Sequence, residues 1–132
     1  MKSIVQIHIQ PNGQIIAQGI DLTDSFVIGW KKSETDLEIV LELSVWPESP
    51  YYSKPKKGEF TDYKKGKLRF YGLKGLDGFS KLKTAKPNVD ADGSKDWDNI
   101  HGFKKETNHF KLSLDVTDLK VVCDGFELEI TN

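Results

Sequence analysis

Regular alternation of apolar and polar residues is the feature of this sequence that most limits its fold. Between Leu37 and Val45 every second residue is apolar, and Glu38 and Glu42 lie between these apolar positions. A strand with one buried face has this period of two, whereas an amphipathic helix repeats about every 3.6 residues. The pattern therefore predicts a strand that packs one face against a core.

The same alternation recurs in seven shorter blocks: Val5–Gln10, Gln14–Ile20, Phe26–Trp30, Leu68–Gly72, Phe110–Asp115, Leu119–Val121 and Phe126–Ile130. The turn-forming residues Pro11–Gly13 predict a hairpin between the first two, and the polar stretch Lys31–Asp36 predicts another hairpin that ends in Leu37–Val45. Trp30 is in phase with Phe26 and Ile28, so the pattern assigns it to the core.

Helical spacing is absent from these blocks, and the glycines between Leu73 and Phe79 favour a loop over a helical turn. Several short strands separated by turn residues are typical of all-β domains. We predict an antiparallel β-sandwich or partly open barrel of about seven to nine strands, with little or no helix.

Composition predicts one domain spanning residues 1–132. A chain of 132 residues with 37% apolar and 11% aromatic residues has enough material for one core. A single cysteine, Cys123, excludes an internal disulfide. No apolar run reaches the length of a membrane span or of a signal peptide, so we expect a cytoplasmic protein without membrane contact.

Charge is distributed unevenly along the chain. Lys54–Lys86 holds eleven basic and three acidic residues, a net charge of +8, so the remaining residues together carry −9. Arg69 is the one arginine, and arginine is the preferred residue for phosphate and base contacts. This composition argues against nucleic acid as a partner. Segments 47–66 and 80–99 are long and polar, which predicts functional or mobile loops.

The sequence offers little catalytic or metal-binding chemistry. Asp90–Asn99 is rich in carboxylates, but Lys95 and His101 occupy the positions where an EF-hand requires glycine and glutamate. We therefore predict an aspartate-rich turn with no metal or cofactor. His101 next to Asp96 or Asp98 is the best acid–base candidate, so a small enzyme remains an alternative to our prediction of a non-enzyme.

Aromatic residues in the two polar segments are the best candidates for a binding surface. Aromatic anchors surrounded by charge dominate many protein interfaces. The predicted site consists of Tyr51, Tyr52, Phe60, Tyr63, Trp97 and His101. The alternative is that the tyrosines and Trp97 fold back over the core as a lid. Trp46 falls out of phase at a strand end, so we expect it to be partly exposed.

Four motifs resemble a group of small bacterial all-β proteins, some of which are proposed immunity proteins of toxin–immunity systems. They are Leu37–Leu41, Leu68–Leu73, the stretch Asp92–Ile100 with Phe103, and Phe110–Asp115 running on to Phe126–Glu129. Asp98 stands where that group tends to have glycine. The resemblance implies a non-enzymatic module that binds another protein. A homodimer and a carbohydrate- or other ligand-binding module remain alternatives.

Overall fold

The computed structural model describes residues 2–55 and 61–131 and confirms the all-β prediction, with 60% strand and 5% helix. The elements are β1 (Lys2–Ile4), β2 (Ile7–Ile9), β3 (Ile15–Ala17), β4 (Ile20–Lys32), β5 (Asp36–Val45), β6 (Asp62–Tyr71), β7 (Gly75–Asp77), α1 (Phe79–Thr84), β8 (Asn88–Val89), β9 (Lys95–Asp96), β10 (Asp98–Lys105), β11 (Phe110–Leu114), β12 (Asp118–Val122) and β13 (Gly125–Thr131).

Nine of these strands form one antiparallel sheet in the order β1-β13-β6-β5-β4-β10-β11-β12-β7. Strands β6 and β11 are four places apart, which is roughly 19 Å in a flat sheet. The rings of Phe70 in β6 and Phe110 in β11 nevertheless have centroids only 6.3 Å apart. The sheet therefore folds over itself in a sandwich-like arrangement, and the described strands do not close a barrel.

The inner faces of the folded sheet enclose the core. In β5 the predicted alternation is confirmed, since Leu37, Ile39, Leu41, Leu43 and Val45 are all buried. The two predicted hairpins are present as β2–β3 and β4–β5. Phe70 also contacts Phe103 of β10 and Phe126 of β13, so one aromatic cluster joins the two layers.

The predicted phase of β4 is correct at one end only. Trp30 packs against the core, as predicted, but Phe26 lies opposite Glu42 on the outer face and Val27 is the buried residue beside it. The register shifts between Val27 and Gly29. The extra residue of this β-bulge reverses the alternation, which is why one period could not describe the whole strand.

Both long polar segments contain more regular structure than predicted. β6 begins at Asp62, and the inward positions of its first half are Asp62, Lys64 and Gly66, which carry no apolar signal. At Gly66 there is no room for a side chain, because a Cβ atom would lie 2.4 Å from Leu43 Cδ1. Segment 80–99 contains most of α1 together with β8 and β9.

The end of the sandwich near Trp30 is covered by α1 and Trp97. The predicted loop Leu73–Phe79 contains the short edge strand β7, and the helix starts only at Phe79. Phe79 and Trp97 both make edge-on contacts with Trp30, at centroid distances of 6.2 and 5.1 Å. No helix among residues 2–55 and 61–131 is long and apolar enough to cross a membrane.

Candidate functional site

A groove opens where β4 and β10 separate. The two strands pair at only two positions, Asp98 with Val27 and Asn99 with Phe26. The register of β10 against β11 then shifts between Ile100 and Gly102, and farther on Lys104 forms a single bridge to Gln14 beside β3. The space between these contacts, about 490 Å³, is called the groove here. Its lining includes Ile16, Leu22, Trp46, His101, Lys104 and Lys111.

The wall formed by β4 is irregular because Ser25 replaces the regular pairing with its own hydrogen bonds. The Ser25 hydroxyl donates to the Asp21 carbonyl oxygen at 2.7 Å and accepts the Ser44 N–H at 3.1 Å. The register of β4 against β5 accordingly shifts between Asp21 and Phe26. This bulged stretch leaves Leu22 beside the groove instead of in a regular ladder.

Trp46 stands at the mouth of the groove with 42% of its surface exposed, as the sequence predicts for a residue just beyond β5. The backbone N–H of Trp46 donates to the Gly19 carbonyl oxygen at 2.9 Å, which fixes the backbone at this position. Gly19 has a φ of +73°, and a Cβ atom there would lie 2.6 Å from Ser49 Cβ. The turn that presents Trp46 therefore depends on glycine.

His101 lies at the rim of the groove and is held by the carboxyl group of Asp115. Its Nε2 contacts Asp115 Oδ1, and Asp115 lies close enough to Asp98 for each carboxyl group to shift the pKa of the other. Asp98 is buried and accepts the N–H of Val116 at 2.6 Å and that of Asn99 at 3.0 Å. The sequence prediction paired His101 with Asp96 or Asp98, whereas the structure places Asp115 between His101 and Asp98.

The two carboxyl groups have opposite electrostatic environments. Burial is the main cause that raises the pKa of Asp98, and the neighbouring Asp115 raises it further. The hydrogen bond from His101 is the main cause that lowers the pKa of Asp115. Of the two groups, Asp98 is therefore the one that binds a proton first as the pH falls. Asp115 is the carboxyl group that orients the imidazole.

Chemically, this arrangement is suited to binding. The oriented imidazole, two ammonium groups and an exposed indole can recognise a ligand. Among the described residues His101 makes no hydrogen bond to a hydroxyl or thiol nucleophile, although Ser113 also lines the groove. No group of three or more His, Cys, Asp or Glu side chains within residues 2–55 and 61–131 is placed to hold a metal ion.

The predicted tyrosines are turned towards the protein. Tyr51 and Tyr52 pack against the core, and the Tyr51 hydroxyl donates to the Ile4 carbonyl oxygen at 3.4 Å. The Tyr63 hydroxyl donates to Asp24 at 3.2 Å, and partial burial raises the pKa of Tyr63. The geometry of Tyr51 and Tyr52 corresponds to the lid alternative, whereas Tyr63 lies on the outer face of the sheet beside Phe26. Phe60 lies outside the described residues.

Trp97 also matches the lid alternative, because it rests on Trp30 and is partly buried. The acidic turn beside it stabilises itself: Asp92 accepts both the N–H and the hydroxyl of Ser94, at 2.9 and 2.6 Å. The Ser94 hydroxyl is the main cause that lowers the pKa of Asp92. A second depression of about 450 Å³ is lined by Tyr63 together with Asp90, Asp92, Ser94 and Asp96, so the structure brings parts of both predicted segments together.

Three prominent groove residues were not in the predicted site: Trp46, Lys104 and Lys111. Trp46 had a usable signal, since its position out of phase indicated exposure. Lys104 and Lys111 had no such signal in the sequence, because only the register of β10 against β11 brings them opposite each other. No protein-family model matches this chain, and neither the curated proteins nor the solved structures contain a match.

Proposed function

We propose that this chain is a non-enzymatic protein-binding module that holds its partner in the groove. The observation that carries the proposal is Trp46, a large aromatic side chain left 42% exposed at the mouth of a groove with half-buried Ile16 and Leu22 beside it. Hot spots of protein interfaces are enriched in such aromatic anchors, which bind in sites that exclude water.

The resemblance to proposed immunity proteins supports the same class of function. Such a protein would act in a bacterial cytoplasm by occluding a toxin. A rigid scaffold suits this role because it fixes the groove before the partner arrives, which lowers the entropy cost of association. The Gly19–Trp46 hydrogen bond and the Ser25 bonds provide that rigidity on the β4 side of the groove.

The test is partner capture with the intact chain and the Trp46→Ala variant. Proteins of the host organism are captured on the immobilised chain, and the affinity of each captured protein is then measured in solution. We expect Trp46→Ala to weaken binding by about 2 kcal/mol or more, as an aromatic hot spot does. Its effect on the free energy of unfolding should stay within about 0.5 kcal/mol, because the side chain is exposed.

Tyr71→Ala is the matched control, since Tyr71 is also aromatic and 39% exposed but lies outside the groove. We expect this control to keep full affinity. The double variant Tyr51→Ala with Tyr52→Ala is expected to lower the melting temperature and leave affinity unchanged, because both rings pack on the core. Equal affinities of the Trp46→Ala variant and the intact chain would exclude the groove as the site.

Carbohydrate binding is a second candidate, favoured by the polar side chains near Trp46. Asn12, Gln14 and Asp21 also line the groove, and binding sites for small molecules combine an apolar surface with a few placed polar groups. Titration with neutral oligosaccharides separates the two functions. Saturable binding that is lost in Trp46→Ala, without any protein partner, would favour the carbohydrate module.

A further inference from the structure

Three lysines stand side by side on the outer face of the sheet, and this arrangement carries our further inference. Lys104 of β10 lies directly opposite Lys111 of β11, which in turn lies directly opposite Lys120 of β12. The inward neighbours Phe103, Leu112 and Leu119 are buried. The three ammonium groups therefore share the solvent-facing side, and they are called the lysine row here.

Like charges directly opposite each other on neighbouring strands destabilise a sheet. The described residues offset part of that repulsion, because Lys120 also lies opposite Asp77 of β7. Lys111 has an ion pair with Glu106 at 3.6 Å, whereas Lys104 and Lys120 have none with another described residue. A bound carboxylate would remove the repulsion, so the row is better suited to a complex than to the isolated chain.

The lysine row continues directly into the groove. Lys104 and Lys111 line the groove together with His101, whose imidazole contacts Asp115. The lining also includes a carboxylate, Asp21 on the β4 side, which accepts the N–H and the hydroxyl of Thr23 at 3.1 and 2.7 Å. A ligand carboxylate on the β10–β11 side of the groove would thus meet the ammonium groups of Lys104 and Lys111. Leu22 and Trp46 offer apolar contact on the β4 side.

We propose that the groove and the lysine row together bind an acidic, extended segment of a partner protein, with carboxylates on the row and apolar side chains against Trp46. This inference rests on the proposed function and adds the chemistry of the partner. The charge of the whole chain favours a polypeptide over nucleic acid. The whole chain has a net charge of −1, and its one arginine, Arg69, lies outside the groove and the row, whereas nucleic-acid binders are typically basic and use arginine for phosphate and base contacts.

The test uses three labelled eight-residue peptides in which leucine alternates with glutamate, glutamine or lysine. Binding to the intact chain is measured at low and at physiological salt, with NMR shifts of the chain to locate each peptide. We expect the glutamate peptide to bind at least tenfold more tightly than the glutamine peptide, with shifts at Trp46 and Gly102. Added salt should reduce this difference, since exposed charges are screened.

Two triple variants provide the decisive comparison. Lys104→Gln, Lys111→Gln and Lys120→Gln together should abolish the preference for glutamate. The control variant combines Lys54→Gln, Lys86→Gln and Lys95→Gln, which change the total charge equally at exposed positions outside the groove. It should keep the preference for the glutamate peptide. The proposal is overturned if no peptide binds, if glutamate and glutamine peptides bind equally, or if both variants lose affinity alike.

Duplex DNA of about twenty base pairs is titrated in parallel. Binding of DNA that is tighter than that of the glutamate peptide, and that depends on the lysine row, would assign the row to nucleic acid and overturn the proposal. The partner captured by the intact chain separates the two inferences. A partner that requires Trp46 but tolerates loss of the row contradicts only the acidic-segment proposal, whereas indifference to Trp46 contradicts the proposed function itself.

Discussion

The β5–β6 ladder and the β4–β10 junction are built from opposite kinds of pairing. β5 and β6 pair at ten consecutive positions without a shift of register. β4 and β10 pair at two positions, and both strands carry irregularities close to the junction. Every inward residue of β5 is apolar and buried, and the buried carboxyl group of this ladder, Asp62, stands at its end opposite Val45. The junction instead has the buried carboxyl group of Asp98 within its short pairing, and it borders the groove.

The comparison shows how one sheet divides stability from binding. A regular ladder satisfies its own backbone groups and leaves no space for a ligand. Where pairing is interrupted, backbone groups need other partners, and here Ser25 and Asp98 supply them from their side chains. Such a region can expose recognition groups while the regular ladder maintains the fold.

The largest effect that tests this division is expected from Leu41→Ala. Leu41 is fully buried in the middle of the ladder, so truncation removes apolar contacts and leaves a cavity. We expect a loss of roughly 2–5 kcal/mol in the free energy of unfolding, measured by denaturant melts. A loss below about 0.5 kcal/mol would mean that Leu41 does not face the core.

Val40→Ala is the control for this measurement. Val40 precedes Leu41 but faces the outer side of the sheet, opposite Lys67, and is only half-buried. Because fewer methyl groups are removed from a partly solvated position, we expect a loss under about 1 kcal/mol. Equal losses in the two variants would contradict the assignment of an inner and an outer face in β5.

The same division explains what the sequence could predict. Alternation located β5, β11 and β13, because each keeps one phase over its apolar residues. It failed in β4, where one bulge moves Phe26 to the outer face, and in the first half of β6, where Gly66 faces inward beside Leu43. Neither a bulge nor a missing side chain leaves a periodic signal.

The site was harder to predict than the fold because it depends on contacts distant in sequence. Asp115 reaches His101 across the β10–β11 hairpin, and the lysine row exists only through two registers. Aromatic density near Tyr51 was a visible signal, but it could not distinguish rings that contact a partner from rings that cover a core. Burial decides that question, and burial is a property of the folded chain.

The next effect concerns the junction and is expected from Asp98→Ala. This change removes the acceptor of the Val116 and Asn99 N–H groups in a site closed to water. Donors left without a partner cost about 1–3 kcal/mol, so we expect a loss of that size in denaturant melts. Asp118→Ala, at an exposed position, should change stability by no more than about 0.5 kcal/mol. Equal effects of the two variants would show that the junction does not depend on Asp98.

The smallest effect is the pH dependence that Asp98 gives to the fold. Its pKa in the folded chain is raised above the ordinary value of 3.8. As the pH falls from neutral towards that value, the folded chain takes up a proton at Asp98 that the unfolded chain does not yet bind. Protonation of Asp98 therefore adds stability on acidification, and this contribution is lost as the pH rises through the folded pKa.

Asp115 contributes with the opposite sign and in a different window. Its pKa is lowered, so its stabilisation is present above the ordinary value of 3.8 and is lost only when the pH falls below it. Between about pH 7 and about pH 4.5 only Asp98 of this pair should respond.

Denaturant melts of the intact chain and of Asp98→Asn at these two pH values isolate the contribution of Asp98. We expect the stability of the intact chain relative to Asp98→Asn to increase at the lower pH, and Asp118→Asn to follow the intact chain. A constant difference between the intact chain and Asp98→Asn would mean that Asp98 titrates alike in the folded and unfolded states, and that burial at the junction does not hold the proton there.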